Sequence, residues 1–408
     1  MKKLLNTAFI PIKGDAYLNV VMIVAPLLQF LSGIAIDLYV PSLPSISHYF
    51  HTSDVMAKNT ITMTMIGWAM GGILFGALLD IYGRRRIILL GLLIFSITSF
   101  LAVNCRFIEE LMLIRFIQGL SVSVISVGSR ALIADNFSGH RFNIGLIYAS
   151  LAFGLGPIVG PFVGGLLQYH FGWKADFWLF GLLSFFLIMI FMLFINESIA
   201  KRHPFSLKNA LGNYAHVLHS HIFLAGILIM AASQIELLTY PAIGSFFMEN
   251  ILHRTSIAYG NSALVISIGY LLGTLSNRLL IKRLHVHHIT DVGFGLLILS
   301  AIVQISFALL GVLNLFTLIL PIMLIGFSNG FIFPNMIGRC MKLFPDIIGV
   351  ATAVMVSFLM FLSAVGIFLI SHVKVNGLSE LTFIFVVTIV IQLLIFYRVF
   401  KRATRNYP

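Results

Sequence analysis

The chain has 408 residues, of which 59% are hydrophobic and only 10% are charged, and its mean hydropathy is +1.01. These proportions exclude a soluble domain with a polar surface. Apolar runs of about 20 residues recur along the whole length, which is what a helix needs to cross a bilayer, whereas a membrane β-barrel would show short alternating segments. We therefore predict an all-α polytopic membrane protein.

Twelve apolar runs predict twelve membrane-spanning helices. In the first half of the chain they cover about residues 18–40, 60–79, 87–105, 110–134, 143–167 and 176–196. In the second half they cover about residues 222–248, 259–281, 292–312, 315–341, 349–372 and 381–400. An outer loop is expected between the first two spans, ending near Asn59.

A polar, basic segment divides these spans into two groups of six. It covers residues 197–221 and is the only long interior loop. We predict an amino-terminal half (1–196), a cytoplasmic linker (197–221), a carboxy-terminal half (222–400) and a cytoplasmic tail (401–408).

The net charge of +12 reports orientation rather than nucleic-acid binding. Basic residues collect in the loop at 84–86, in the linker and in the tail, which all fall on one side of the predicted bundle. Positive loops resist translocation, so that side is cytoplasmic. We predict a monomer in a bacterial inner membrane with both termini in the cytoplasm. Cys105 and Cys340 fall at span ends that face opposite sides, which argues against a disulfide.

The connection between spans two and three joins an apolar run to a basic turn. Gly76 lets the second span approach a neighbouring helix closely, and Asp80 lies where the apolar run ends. The chain turns at Gly83 and continues with Arg84 and Arg85. Asp80 can accept a hydrogen bond from an arginine or from a helix amino terminus. We predict a gating loop, with a plain topological anchor as the alternative.

Two charged residues fall at similar depth in spans one and four. Asp37 lies about three residues from the outer end of its span and Arg115 about five, and at about 1.5 Å per residue these depths nearly coincide. A carboxylate can take up or release a proton, whereas a guanidinium stays charged. We predict that Asp37 carries a proton and that Arg115 regulates it, with Tyr39 and Gln118 beside them in a substrate cavity. The alternative is that Asp37 only caps the following loop in water.

Span seven carries the only acidic group near the middle of a span. Glu236 is about fourteen residues from the inner end of that span, where a carboxylate is expensive and usually functional. We predict that it recognises a substrate cation or binds a second proton, with Gln234 and Asn335 also lining the cavity. The alternative is a neutral glutamic acid that is hydrogen-bonded within the bundle.

Small residues recur at four-residue spacing in span five. Such spacing lets helix backbones pack closely, and proline removes helix hydrogen bonds and permits a bend. Ordinary close packing explains the same pattern without any role in transport. The residues concerned are Gly156, Gly160, Pro161, Gly164 and Gly165.

Other functional classes find little support. Thirteen histidines occur, but those in the interior loops lack a carboxylate or cysteine pattern, so we expect no metal site. No nucleotide-binding loop appears, so ATP is not the energy source within this chain and we expect no cofactor. An intramembrane enzyme would need a nucleophile with a base, or a metal pair, inside the spans. A sensor with this fold is a further alternative.

The two halves show traces of a repeat. A shift of 197 residues places Gly76 on Gly273 and Asp80 on Asn277, with basic residues following in both copies. A shift of 211 places Gln118 on Asn329 and Asp135 on Asp346, each at the expected span. The pattern indicates a duplicated unit whose first copy kept its charges.

Four signatures resemble the major facilitator superfamily, and within it the twelve-span drug:proton antiporters of the bicyclomycin and chloramphenicol resistance type. The loop from Gly76 to Arg86 is similar to G-x-L-x-D-x-x-G-R-[KR]-[KR], although Ile81 stands where arginine is common. The segment that begins at Arg115 resembles R-x-x-Q-G, with Ser121 at a position where glycine is usual. The glycines of span five match the antiporter signature, and residues 37–44 are similar to D-x-Y-x-P-x-x-P.

The resemblance implies a transporter of two six-helix halves with its binding cavity at their interface. It implies that the gating loop holds the inner gate shut in the outward-facing state, and that the pattern in span five belongs to exporters. We expect proton entry to neutralise Asp37 while an amphipathic drug or related small molecule leaves. The alternative is a proton-coupled transporter dedicated to a metabolite such as a siderophore, amino acid or sugar.

Overall fold

The computed structural model describes residues 14–198 and 207–400, which are almost entirely helical and include no β-strand. The chain divides into two compact units, one before and one after the boundary between Ser206 and Leu207. In the described part of the first unit, the long helices are α1 (Asp15–Asp37), α2 (Asp54–Tyr82), α3 (Arg84–Ala102), α4 (Ile108–Asn136), α5 (Gly139–Phe171) and α6 (Lys174–Phe194). In the second they are α7 (His221–Phe246), α8 (Ser256–Leu280), α9 (Val286–Leu310), α10 (Leu315–Met341), α11 (Ile348–Ser371) and α12 (Leu378–Ile395).

The predicted fold class is confirmed. Within the described residues, eleven helices are long and apolar enough to cross a membrane, and α2, with 29 residues, coincides with another predicted span. Large apolar side chains on the outside of the units, such as Leu309 (84% exposed) and Phe171 (76% exposed), suit contact with lipid rather than water. Three of the described helices, α2, α4 and α5, extend beyond both ends of their predicted spans, because hydropathy marks only the part that lies in hydrocarbon.

Two connections differ from the predictions. The segment predicted as a loop after Asp37 continues as a short 3₁₀ turn, Val40–Ser42, and a helix, Leu43–Tyr49, and α2 already begins at Asp54. Pro41 and Pro44 stand in the first turn of these two elements, where proline is favoured because its fixed φ suits a helix start. The predicted linker likewise contains a helix, Leu207–Leu218.

Each unit has the same internal packing pattern. In the first, α1 packs on α4, α5 and α6, α4 also packs on α2 and α3, and α3 packs on α6. In the second, α7 packs on α10, α11 and α12. There α10 also packs on α8 and α9, and α9 packs on α12. Each of the six pairs named in the first unit has its counterpart six helices later in the second, so the two units are structural repeats.

Close glycine contacts show that the two shifts predicted from the sequence are wrong in register. A β-carbon added at Gly67 would meet the backbone of Phe116, and one added at Gly269, which is 202 residues later, would meet Met323, which is 207 residues after Phe116. The glycine of α4 that meets α2, Gly119, likewise corresponds to a glycine of α10 that meets α8. The shift is therefore 202 for α2 and 207 for α4, not 197 and 211.

Candidate functional site

Three glycines of α5 bring its backbone against α1 and fix the position of Asp37. A β-carbon added at Gly156 would lie 2.2 Å from the nearest backbone carbon of α1. One added at Gly164 would lie 1.7 Å from the carbonyl oxygen of Leu38. At Gly160 it would lie 3.3 Å from the β-carbon of Asp37. Only glycine permits the two shortest approaches. The whole predicted pattern is buried in the unit: Gly156, Gly160, Pro161, Gly164 and Gly165.

Arg115 is fully buried and its guanidinium is held by three groups. Its Nη1 donates to Gln118 Oε1 at 2.7 Å and its Nη2 to the carbonyl oxygen of Ala35, also at 2.7 Å. The guanidinium carbon lies 4.1 Å from the centroid of the Tyr39 ring, a distance typical of a cation–π contact. Gln118 in turn donates to Ser99 at 2.9 Å. Gln118 and Tyr39, two of the residues predicted beside Arg115, are therefore in contact with it.

Asp37 is the last residue of α1, two residues beyond Ala35 and two residues before Tyr39, which both contact Arg115. Together, Ala35, Asp37, Tyr39 and Arg115 are called the charged layer. Asp37 is only 6% exposed. Among the described residues, no hydrogen bond or ion pair involves its carboxyl group. The layer thus holds a cation whose hydrogen bonds go elsewhere and a carboxyl with no cation bonded to it. The alternative in which Asp37 caps a loop in water does not fit this burial.

The second unit buries a different polar pair. Glu236 on α7 is fully buried and accepts a hydrogen bond from Asn329 Nδ2 at 2.7 Å. Glu236 Oε1 and Asn329 Oδ1 have no hydrogen-bond partner among the described residues. One turn further along α7, Tyr240 bonds to the hydroxyl of Ser262 and stacks on Tyr259, with ring centroids 5.4 Å apart. A carboxyl group and two aromatic rings therefore share one side of α7.

The other residues predicted for the cavity do not join Glu236. Gln234 is two residues away on the same helix, so its side chain leaves a different side of α7. Asn335 donates to Asn277 at 3.2 Å and to the carbonyl oxygen of Phe331 at 2.8 Å. These bonds place Asn335 in the packing of α10 against α8 rather than beside the carboxyl group.

The predicted gating loop turns at Gly83, whose φ of 99° favours glycine. The carboxylate of Glu197 lies against this turn and accepts a hydrogen bond from the backbone nitrogen of Arg84 at 2.8 Å. Arg84 Nε also pairs with Asp135 Oδ2 at 3.2 Å. The loop is thereby tied to the ends of α4 and α6 within its own unit.

The remaining members of the loop are only partly described. Arg85 donates to the carbonyl oxygen of Met192 at 2.9 Å, which adds a second tie to α6. The surroundings of Gly76 and of the Asp80 side chain lie outside the described part of the structure.

Three polar residues that contact these sites, and one further buried acid, Asp176 of α6, were not predicted as site residues. Asn329 and Asp135 entered the sequence comparison only as repeat positions, and Glu197 and Asp176 only as boundaries of a segment. Acidic residues at helix ends are common, so no sequence pattern separates a buried one from a solvated one. The signal that was available is position: Asp176 and Asp37 both fall where a predicted span meets the same side of the membrane.

The fold and the buried charges define a class of protein. An all-α membrane protein built from two six-helix repeats, with polar groups buried within each repeat, has the architecture of a secondary transporter. Residues 27–398 match the Major Facilitator Superfamily, and the chain belongs to that family. The predicted family is confirmed.

Relatives and solved structures agree with this assignment. The chain is 27% identical over 383 residues to an uncharacterized transporter of Rickettsia bellii, covering 90% of this chain and 93% of that protein. It is 27% identical over 283 residues to the chloramphenicol resistance protein CraA of Acinetobacter baumannii, covering 68% of each. The structure of a D-xylose-proton symporter superposes with a TM-score of 0.76 and 16% identity, covering 93% of this chain and 97% of that one. At that identity the symporter supports the fold alone.

Proposed function

We propose that this transporter is a proton-coupled antiporter that exports amphipathic drugs or related small molecules. The observation that carries the proton coupling is Asp37: a carboxyl group buried in a membrane-spanning unit, two residues from Ala35 and from Tyr39, which both contact an arginine that forms no ion pair with it. The named relatives that resemble this chain, among them a chloramphenicol resistance protein, support the drug class and the direction of transport.

The coupling follows from the free energy of burying charge. A charged carboxylate without a partner is expensive to bury, whereas the neutral acid is not. Protonation of Asp37 therefore changes the relative free energies of a state that buries this end of α1 and a state that exposes it to water. Because α5 contacts the same end of α1 backbone to backbone, the two helices move together. A proton can thus bias a conformational equilibrium.

The proposed role of Glu236 is to recognise the substrate. Its fully buried carboxyl group has one oxygen without a hydrogen-bond partner among the described residues, and the rings of Tyr240 and Tyr259 lie further along the same side of α7. A carboxylate near aromatic faces suits an organic cation. We assign the gating loop the role of a gate. Asp135 and Glu197 are its bonding partners inside the first unit.

The test of proton coupling is Asp37→Asn, which keeps the size of the side chain and removes its ability to ionise. In proteoliposomes with an imposed pH gradient, chloramphenicol accumulation by the variant is expected to fall at least about tenfold. This is the size of effect expected for an essential proton-transfer group. Exchange down a drug gradient should remain. Glu109→Gln, which removes an exposed carboxylate at the start of α4, is the matched control and should behave like the wild type. Wild-type accumulation by Asp37→Asn would contradict the proposal.

We assign the protein to a bacterial inner membrane, as a monomer with both termini in the cytoplasm. The basic loop and tail support this orientation. In a background in which Cys105 and Cys340 are replaced by alanine, Asn104→Cys should react with a membrane-impermeant maleimide added to whole cells, because Asn104 is exposed between α3 and α4. Arg86→Cys, exposed at the opposite end of α3, should react only after lysis. The reverse pattern would invert the orientation.

A further inference from the structure

A second buried carboxyl group in the first unit has no role in the site described above. Asp176 lies in the first turn of α6 and is fully buried. Its Oδ2 accepts a hydrogen bond from the hydroxyl group of Ser42, in the 3₁₀ turn that follows α1. Its Oδ1 has no hydrogen-bond partner among the described residues. A buried carboxyl group with one oxygen unbonded calls for a proton or a cation.

Asp176 is connected to the layer of Asp37 and Arg115 through aromatic contacts. The next residue, Phe177, has its ring centroid 5.9 Å from that of Tyr39 and 6.0 Å from the guanidinium carbon of Arg115. The segment after α1 runs along this contact from Tyr39 to Ser42. Asp176 therefore holds the same segment whose first residues define the proposed proton site.

Other hydrogen bonds hold this segment on its remaining sides. Tyr39 bonds to Thr60 of α2 at 3.0 Å, and Gln168 of α5 donates to Ser45. Between Tyr39 and Ser45 the segment is therefore tied to α2, α5 and α6 by one side-chain bond each, and a further bond to α2 follows from Ser47 to Asp54 at 2.9 Å. Of the three ties between Tyr39 and Ser45, the one to α6 contains a carboxyl group, so its strength depends on a proton.

We propose that Asp176 is a second proton-binding carboxyl group of the first unit and that its protonation state sets the strength of the tie to Ser42. This inference rests on the proposed proton coupling. The proton resides on Oδ1, the unbonded oxygen, while Ser42 continues to donate to Oδ2. On release, the proton leaves Oδ1 and the Ser42 bond becomes a charge-assisted one, which is shorter and stronger.

Two opposing effects let Asp176 exist in both forms. Burial without a cation favours the neutral acid, whereas the amino-terminal end of the α6 dipole favours the carboxylate. The ionisable groups at this end are those of Asp37 and Tyr39 at the end of α1, Cys105 after α3, and Tyr169 and His170 of α5, together with Lys174 in the first turn of α6, whose ammonium lies 5.1 Å from the centroid of the Tyr49 ring. Arg115 of α4 lies nearby across Phe177. Among the described residues, none of them forms an ion pair with Asp176.

The test is infrared difference spectroscopy of the purified full-length protein in detergent, with pH as the only variable. Protonated carboxyl groups have a carbonyl stretch that carboxylates lack, so a group that titrates gives a band that disappears as the pH rises. The wild-type spectrum minus that of Asp176→Asn should contain such a band, and the band should persist in Asp37→Asn. A difference spectrum without a pH-dependent band, or with a band that does not change with pH, would overturn the inference.

Two further variants test the assignment of the infrared band to Asp176. Ser42→Ala removes the donor to Oδ2, so the Asp176 band should move to higher frequency; an unchanged frequency would exclude the assigned hydrogen bond. This measurement identifies the band in a protein that retains Asp176, even if Asp176→Asn fails to fold. Glu109→Gln, which removes a different carboxyl group, should leave the Asp176 band unchanged. Because no transport is measured, failure here is distinguishable from failure of Asp37→Asn to lose pH-driven accumulation.

Discussion

The two units share a scaffold but bury different charges in it. In the first, the end of α1 is tied to α2 by the hydroxyl groups of Tyr39 and Thr60, and in the second the end of α7 is tied to α8 by those of Tyr240 and Ser262. Tyr39 and Tyr240 are 201 residues apart, and Thr60 and Ser262 are 202 apart, in agreement with the glycine contacts. The repeat therefore preserves even side-chain hydrogen bonds at equivalent positions.

The charged layer of the first unit has no counterpart at those positions. At the same shifts, Asp37 corresponds to Leu238 and Arg115 to Ile322, both of which are buried apolar residues. The acid of the second unit, Glu236, corresponds instead to Ala35, and it is held by an amide rather than placed beside an arginine. The proposed function assigns these buried charges different roles, with proton coupling in the first unit and substrate recognition in the second.

The units also differ in how closely the glycines of α5 and of α11 approach the neighbouring helix. In the first unit, α5 meets α1 backbone to backbone at Gly156 and Gly164. In the equivalent pair of the second unit, α11 meets α7 at Gly366, where an added β-carbon would meet only the side chain of Ile235, at 2.3 Å. A side chain can move aside and a backbone cannot, so the first contact is the more rigid of the two.

The largest expected effect tests this difference in rigidity. Gly164→Ala should destabilise the protein by about 3 kcal/mol or more, at the upper end for overpacking, because its β-carbon would lie 1.7 Å from the carbonyl oxygen of Leu38. Gly366→Ala should cost only about 1 kcal/mol, since Ile235 can change rotamer. Thermal unfolding in detergent measures both.

The matched control for these two variants is Gly154→Ala. An added β-carbon there meets nothing within 4 Å, and alanine in a helix interior is favoured over glycine by about 0.5–1 kcal/mol, so this variant should be neutral or slightly stabilised. Equal losses of stability at Gly164 and Gly366 would remove the distinction between the two helix pairs.

A smaller effect on stability but a selective effect on transport is expected for Glu236→Gln. Glutamine keeps an oxygen for the Asn329 hydrogen bond, so the free energy of unfolding should change by less than about 1 kcal/mol. Transport of tetraphenylphosphonium, a permanent cation, should fall at least about tenfold, which corresponds to the loss of about 1.4 kcal/mol of interaction. Transport of neutral chloramphenicol should persist.

A comparison of Glu236→Gln with Asp37→Asn tests the proposed division of roles between the two units. If the first unit handles protons and the second handles the substrate, Asp37→Asn should impair pH-driven transport of both compounds, whereas Glu236→Gln should impair only that of the cation. Equal impairment of both compounds by Glu236→Gln would make Glu236 a proton site, and the division between the units would then be wrong.

Much of this arrangement could be predicted from the sequence, for identifiable physical reasons. Lipid requires long apolar helices, so the spans were visible as runs. Glycine at four-residue spacing on α5 predicted a close helix contact, and the structure contains it at Gly156 and Gly160. The similar depths of Asp37 and Arg115 placed the two residues near one level of the membrane, and in the structure Arg115 contacts Ala35 and Tyr39, which lie two residues to either side of Asp37.

The register of the repeat and several polar partners could not be predicted. Apolar residues on lipid-facing surfaces are interchangeable, so they carry little information about register, and 34 glycines offer many chance matches. The shift of 211 paired Asn329 with Gln118, although the contacts pair Asn329 with Val122. The role of Asn329 depends on which side of α10 meets α7, and the burial of Asp176 depends on the turn that follows α1. Both are properties of tertiary packing.

The smallest expected effect tests the shared scaffold itself. Tyr39→Phe and Tyr240→Phe each remove one hydroxyl group from a buried pair, and each should cost about 0.5–1.5 kcal/mol, the net worth of a typical hydrogen bond. Neither leaves an unbonded donor, because Thr60 also donates to the carbonyl oxygen of Ala57 and Ser262 to that of Tyr259. Tyr39→Phe also keeps the ring that faces Arg115. The two losses, measured by thermal unfolding in the same detergent, should therefore agree within about 0.5 kcal/mol, the usual accuracy of such comparisons. A loss at Tyr39 that greatly exceeds the loss at Tyr240 would mean that this hydroxyl group supports the charged layer as well as the repeat.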